Sequence, residues 1–247
     1  MNKESKHEEG FTPKKLMVII VEVILIVIIA LVAVALIQAY LLTSIEIVGN
    51  SMAPTIDAAG AKVFINKAAK EYKRGDVIVT YVPVGAEEFY SNPSLVTQYG
   101  TLLGMYANDE AECPASRPVT FTDFIRSMPF VNQGSAGESA VADGYKRVIK
   151  RVVGIPGDTV AFIEGKLYVN NELDARAELY DYPGGLKLTG NGSRNYAYTL
   201  GAEEYFIMGD NRSVSIDSED YGPIKSSWIE GKVVLLITAK GKWEINF

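Results

Sequence analysis

Histidine and cysteine are almost missing from this 247-residue chain, which holds one of each, His7 and Cys113. A single cysteine excludes an internal disulfide and any metal site built from several thiolates. His7 lies before a long apolar run. If that run sits in a bilayer, the large remainder of the chain contains no histidine. That removes Ser-His-Asp triads, Cys-His dyads and histidine-ligated zinc from it. An excess of positive charge is missing too: 24 Lys and Arg stand against 30 Asp and Glu, a net charge of -6. Such a balance excludes nucleic acid as the expected partner. No metal and no cofactor is expected.

Between Leu16 and Leu42 a polar face is missing as well. The strongly polar side chains there are Glu22 and Gln38. The run exceeds the roughly 20 residues that cross a bilayer. It also exceeds the ~7–15 apolar residues of a cleaved secretory signal, the rival reading. Ala33-Val34-Ala35 resembles a signal cleavage site but lies inside the apolar run. The run therefore reads as a transmembrane helix over residues 16–42, after a polar tail over 1–15. Lys14 and Lys15 precede it, and the next cation is Lys62. The positive-inside rule then puts the N-terminus in the cytoplasm. Residues 43–247 become a domain on the outer face of the cell membrane, held by one pass. Glu22, near the cytoplasmic end, reads as snorkelling or neutral.

The remainder is patterned for β-structure. Ile45–Val48, Lys62–Asn66, Asp76–Tyr81, Lys146–Val153, Thr159–Glu164, Lys166–Val169, Glu204–Met208, Val233–Thr238 and Trp243–Phe247 are expected strands, rich in β-branched and aromatic residues. Glu164-Gly165 and Asn170-Asn171 read as turns. Residues 83–144 break the pattern and read as an inserted lid or subdomain, with a flexible patch at Gly134–Ser139. Tyr180–Tyr198, rich in Gly, Tyr and Asn, reads as a surface excursion.

Gly49-Asn50-Ser51-Met52-Ala53-Pro54-Thr55 stands between the apolar run and this domain. A serine in a Gly-Asn setting is most often a plain turn, and Met52 reads as exposed. The connector Thr43–Asn50 reaches less than ~30 Å even when extended, so Ser51 is held near the membrane surface. A serine hydroxyl needs an adjacent base to act as a nucleophile. With histidine absent, the candidates are Lys, Asp, Glu and Tyr, and the best Lys candidate lies in Lys146-Arg147-Val148-Ile149-Lys150-Arg151-Val152-Val153. In a strand, Lys146, Val148, Lys150 and Val152 share one face, and Arg147, Ile149, Arg151 and Val153 the other. Apolar residues on both faces imply burial that deepens toward Val153. Burial penalises an ammonium and lowers the proton affinity of the amine, which a base working near neutral pH requires. The same four cations also fit a solvated strand or a polyanion-binding patch.

Several stretches together resemble the bacterial type I signal peptidases, membrane-anchored serine proteases. They are Ser51-Met52-Ala53-Pro54-Thr55; Arg74-Gly75-Asp76-Val77-Ile78-Val79; Lys150-Arg151-Val152-Val153-Gly154-Ile155-Pro156-Gly157-Asp158; and Gly209-Asp210-Asn211-Arg212 through Ser215, Asp217, Ser218 and Gly222. They occur in the family's order, behind an N-terminal anchor. The resemblance implies Ser51 as nucleophile and Lys150 rather than Lys146 as base. It implies that Ser215 orients the Lys150 amine, that Asp217 supports the site, and that Arg151 pairs with Asp210. It implies a mostly β fold: a twisted antiparallel sheet, barrel-like, with an excursion over about 160–203. It also implies secreted preproteins, cleaved at their signal peptides, as substrates and partners beside the lipid bilayer. Three departures stand out. Glu219 occupies the place of a usual Arg, Gly49 offers no hydroxyl to the oxyanion, and residues 83–144 are a long insertion. A decayed, anchored binding module and a self-cleaving Ser-Lys regulator are the alternative readings.

Overall fold

The computed structural model of the chain describes residues 12–56, 60–86, 144–163, 166–174, 196–212 and 214–245, with short pieces at 102–105, 113–115 and 119–120 and single positions at Ser94 and Gln98. The first eleven residues of the tail, the patch at 134–139, the turn Glu164-Gly165 and most of the 180–198 excursion lie outside them. So does most of the 83–144 stretch.

A single long helix, α1 (Pro13–Tyr40), opens the fold, with Pro at its first turn, where no hydrogen bond is lost. Its 28 residues span about 42 Å at 1.5 Å per residue, more than the ~30 Å apolar thickness of a bilayer. Among the described residues it is the one helix long and apolar enough to cross a membrane. The helix stops two residues short of the apolar run. Leu41 caps it, donating to the Ile37 carbonyl at 2.8 Å, and Leu42 already belongs to a strand. Pairing explains the early stop: β1 (Leu42–Glu46) lies antiparallel to β2 (Lys62–Asn66), with Leu42 opposite Asn66. The Leu41 carbonyl also accepts from Lys67 N at 2.9 Å. The sheet therefore begins at the helix end with no free linker.

The rest is mostly β and antiparallel. Among the described residues the remaining elements are β3 (Val77–Pro83), α2 (Leu102–Met105), β4 (Tyr145–Gly154), β5 (Thr159–Ile163), β6 (Lys166–Val169), β7 (Glu172–Leu173), β8 (Tyr196–Thr199), β9 (Glu204–Met208), α3 (Ser218–Tyr221), β10 (Ile224–Lys225), a 3-10 turn (Ser226–Trp228), β11 (Ile229–Ile237) and β12 (Trp243–Glu244). The larger sheet runs β1-β2-β11-β3-β4-β9-β10, with β12 on β11. The smaller runs β7-β6-β5-β8. The chain passes between the sheets at the end of β4. A Cβ on Gly154 would meet Leu200 and Val160 within 2.8 Å, so only glycine lets the sheets approach there.

β4 faces three cores, as its apolar residues on both faces require. Val152 joins a cluster around the fully buried Trp228, with Val148 packed against it. Ile149 joins one with Met52, Ile56 and Val77. Val153 joins one with Phe162, Phe206 and Met208 between the sheets. Burial rises along the strand from exposed Lys146 to fully covered residues at 149–154. Each large apolar side chain so covered contributes about 1.5–3 kcal/mol. The described pieces of the 83–144 stretch reach the Trp228 core through Leu102, Leu103 and Cys113.

Candidate active site

β4 delivers Lys150 and Arg151 to opposite sides of one sheet, because neighbouring strand residues alternate. Lys150 stands opposite Ile78 of β3 and is only 3% exposed. Its Nζ donates to Ser215 Oγ at 2.9 Å. Ser215 arrives from the next strand over. β9 ends at Met208, paired with Arg151, and the chain turns at Gly209. The turn is closed by the Asn211 carbonyl, which accepts from Val214 N at 3.2 Å and Ser215 N at 3.0 Å. This folds Ser215 back over Gly209. A Cβ on Gly209 would lie 2.6 Å from Ser215 Cβ, closer still to Ser215 Oγ, and 2.5 Å from the Ser51 carbonyl oxygen. The bare glycine is what lets the two serines flank one point.

Ser51 is held by its main chain. Its carbonyl accepts from Asn211 N at 2.9 Å, which joins the serine turn to the loop carrying Ser215. Ala53 N donates to the Asn50 carbonyl at 3.1 Å and Ile56 N to the Met52 carbonyl at 2.9 Å, so residues 50–56 form a tight turn. Met52, expected at the surface, is 1% exposed and packs in the core with Ile56. Its unbranched side chain fills the space beneath the turn and pins it. Ser51 itself is half-buried. Among the described residues no hydrogen bond joins Ser51 Oγ to Lys150 Nζ.

Asp217 closes the other end of the arrangement. It is 2% exposed. It accepts from Gly209 N at 2.9 Å and Glu219 N at 3.1 Å, and it also takes a hydrogen bond from the Ser215 hydroxyl. Burial raises its carboxyl above the ordinary range, against the opposing pull of Lys150, Ser215 and the two backbone N–H groups. Glu219, where the resemblance leads one to expect Arg, gives Asp217 its backbone N–H.

Arg151, on the far face of β4, makes a two-pronged bond to Asp210 at 2.7 and 2.5 Å. Both side chains are 2% exposed. The Arg151 Nη1 reaches the Gly75 carbonyl at 2.7 Å, so one guanidinium ties β4, the loop after β9 and the Arg74-Gly75-Asp76 turn. Arg74 in turn forks onto Asp158. Burial pushes Asp158 up, but Arg74, the Ile155 N–H and the Asn170 amide together hold it below the usual carboxylate range.

Gly209, Asn211 and Ser218, whose hydroxyl accepts from Ile207 N at 3.0 Å, belong to the quoted motif, which by itself assigns them no role. Asp220, whose carboxylate accepts from Asp217 N at 3.1 Å, is not among the motif's residues. The last had a signal in the chain: Asp217-Ser218-Glu219-Asp220 has the spacing of a helix capping box.

A family model described as signal peptidase, peptidase S26, matches residues 20–238. Signal peptidase I V of Bacillus subtilis (strain 168) is 36% identical over 95 residues, which covers 36% of this chain and 56% of the relative. Signal peptidase I of Streptococcus pneumoniae serotype 4 is 30% identical over 122 residues, covering 36% of this chain and 60% of the relative. The chain thus spans a little over half the length of these curated relatives. A crystal structure of a signal peptidase I from Enterococcus faecalis V583 aligns at 29% identity over 35% of this chain and 81% of its own, with a TM-score of 0.27. Because the family model covers most of the sequence, the chain belongs to the signal peptidase family, peptidase S26.

Proposed function

We propose that this protein is a membrane-anchored serine endopeptidase that removes signal peptides from preproteins, with Ser51 as nucleophile and Lys150 as general base. The observation that carries the reading is a lysine amine, 3% exposed, bonded to Ser215 Oγ beside a glycine whose other neighbour is Ser51. Membership in the signal peptidase family supports this substrate class. α1 supplies the anchor, with residues 1–15 in the cytoplasm and the β domain outside, as Lys14 and Lys15 imply. Its direct run into β1 keeps Ser51 close to the lipid, where a signal peptide emerges.

In this mechanism the neutral Nζ of Lys150 takes the proton from Ser51 Oγ. The oxygen attacks the scissile carbonyl, and the Ser51 backbone N–H stabilises the oxyanion. The ammonium then protonates the departing amine as the C–N bond breaks, leaving an ester on Ser51. Water gives its proton to Lys150 and attacks that ester, and the proton returns to Ser51. Hydrogen bonds of this kind are often long before substrate binds and tighten with it. Ser215 and Asp217 hold the amine in place, and the Arg151–Asp210 pair braces β4 behind it. The test is cleavage of a preprotein by the full chain in detergent. Ser51→Ala and Lys150→Ala each abolish it; normal cleavage by either variant overturns the assignment.

A further inference from the structure

The one-turn helix α3 has a feature that the proposed mechanism does not use. Asp217 is its N-cap, in extended backbone at φ -153 and ψ -159. The carboxylate of Asp217 accepts from Glu219 N, and the carboxylate of Asp220 accepts from Asp217 N at 3.1 Å. The two bonds satisfy each other's orphan donors, as a capping box does. Asp220 is 6% exposed, so a second carboxylate is buried three residues from the first. Burying an acid costs free energy unless the group is bonded. A four-residue helix returns little for that cost, because so short a segment is not stable by itself.

What the bond does hold is Asp217. That side chain carries three acceptor bonds, from Gly209 N, Glu219 N and the Ser215 hydroxyl. Ser215 in turn accepts from Lys150 Nζ. The first residue of α3 is tied to β9, the Ser218 hydroxyl accepting from Ile207 N. Asp217 is therefore fixed by β9 on one side and by Asp220 on the other. Without the Asp220 bond the Asp217 N–H is left buried without that acceptor, and the cap keeps its carbonyl and carboxylate bonds but loses the one that holds its amide.

We propose that Asp220 is a positioning residue for the peptidase, acting through Asp217 and Ser215 on the Lys150 amine. The inference rests on the reading of Lys150 as the base. Asp220 lies three bonds of the chain away from the amine, so its loss weakens proton transfer and leaves substrate binding alone. The acceptor oxygen is the operative feature, and Asp220→Asn retains one.

The test compares the full-length protein, Asp220→Ala and Asp220→Asn on one preprotein in detergent, at a temperature well below all three unfolding midpoints. Ser51→Ala and Lys150→Ala are run beside them. Asp220→Ala is expected to lose kcat about tenfold or more with KM unchanged, while Asp220→Asn keeps kcat close to that of the parent. The proposal is overturned if Asp220→Ala keeps its kcat, if its loss lies in KM, or if Asp220→Asn is as slow as Asp220→Ala. If Asp220→Ala does not fold, Asp220→Asn alone decides: a parental kcat supports the bond and a lost kcat overturns it. Normal cleavage by Ser51→Ala or Lys150→Ala would instead sink the functional reading, whatever Asp220 does.

Discussion

Lys150 Nζ and Ser215 Oγ are 2.9 Å apart in the interior of the protein, although 65 positions separate them in the chain. The serine faces two ways: it accepts from the amine and donates to Asp217. Removing the hydroxyl breaks both bonds at once. Ser215→Ala is therefore expected to lower kcat by about 10²-fold, within the range that one positioned proton-transfer group supplies. KM should stay near its parental value, because Ser215 is assigned to the base and not to substrate. Steady-state cleavage of a preprotein checks this, and a rise in KM alone would contradict it.

Gly209 sits where no side chain fits. A Cβ there would press on Ser215 and on the Ser51 carbonyl within 2.6 Å, so something must move. The atoms in the way are main chain and a side chain already bonded at both ends, so the adjustment separates the two serines. Displacements of about 1 Å at reacting groups cost on the order of 10²-fold in rate. Gly209→Ala is expected to fold, to bind preprotein, and to cleave it about a hundredfold more slowly in a single-turnover assay.

Arg151 and Asp210 form an ion pair from which water is almost wholly excluded, each side chain being 2% exposed. Taking away one partner leaves a bare buried charge, at a cost of about 3–5 kcal/mol. Arg151→Met should therefore unfold at clearly lower denaturant than the parent. Replacing Asp210 as well removes the stranded charge. Arg151→Met with Asp210→Leu should recover part of the loss, although the Gly75 carbonyl still lacks its donor. Urea unfolding of the three proteins in detergent measures both effects.

Strands bounded by strong turn residues are readable in the chain itself. Lys62–Asn66, Lys166–Val169 and Glu204–Met208 are strands over those same residues, since each is a short apolar, β-branched or aromatic run and Gly or Asn punctuates its end. Elements that depend on a distant partner are harder. β8 lies in a stretch rich in Tyr and Asn that reads as a surface excursion; it is a strand because Thr159–Phe162 pairs with it. The helix end at Tyr40 is set by pairing with β2, which hydropathy does not register. α3 is too short for any helical period to show. The same limit applies to the site. Alternation puts Lys146 and Lys150 on one face, yet the first is exposed and the second buried. The difference lies along β4, whose burial rises toward Gly154, and Lys150 meets Ser215 of the loop after β9. Met52 shows the converse: its neighbours in the chain suggest exposure, and its neighbours in space are Ile56 and the core.

Asp217 also makes a prediction about pH. Burial holds its carboxyl above the ordinary value, which is near ~3.9 in an unfolded chain. The folded protein therefore keeps this proton over a range in which the unfolded chain has already lost it. Linkage fixes the sign: a group that binds its proton more tightly when folded favours the fold most in acid. That contribution is fully present below about 3.9 and is lost as pH rises through the folded value. Asp217→Asn cannot ionise, so it lacks this slope. It carries instead a fixed cost, because an amide can accept from Gly209 N or Glu219 N but offers its NH2 to the other. The stability of Asp217→Asn relative to the parent should then rise as pH climbs from acid toward neutral, and level off once Asp217 is ionised in both states. Urea midpoints of the two proteins across that range test this directly. Groups distant from Asp217 are common to both curves and cancel in the difference, while Lys150, which interacts with the carboxyl, does not; a relative stability that falls with pH across the acid range would mean that the Asp217 carboxyl is held below its ordinary value, not above it.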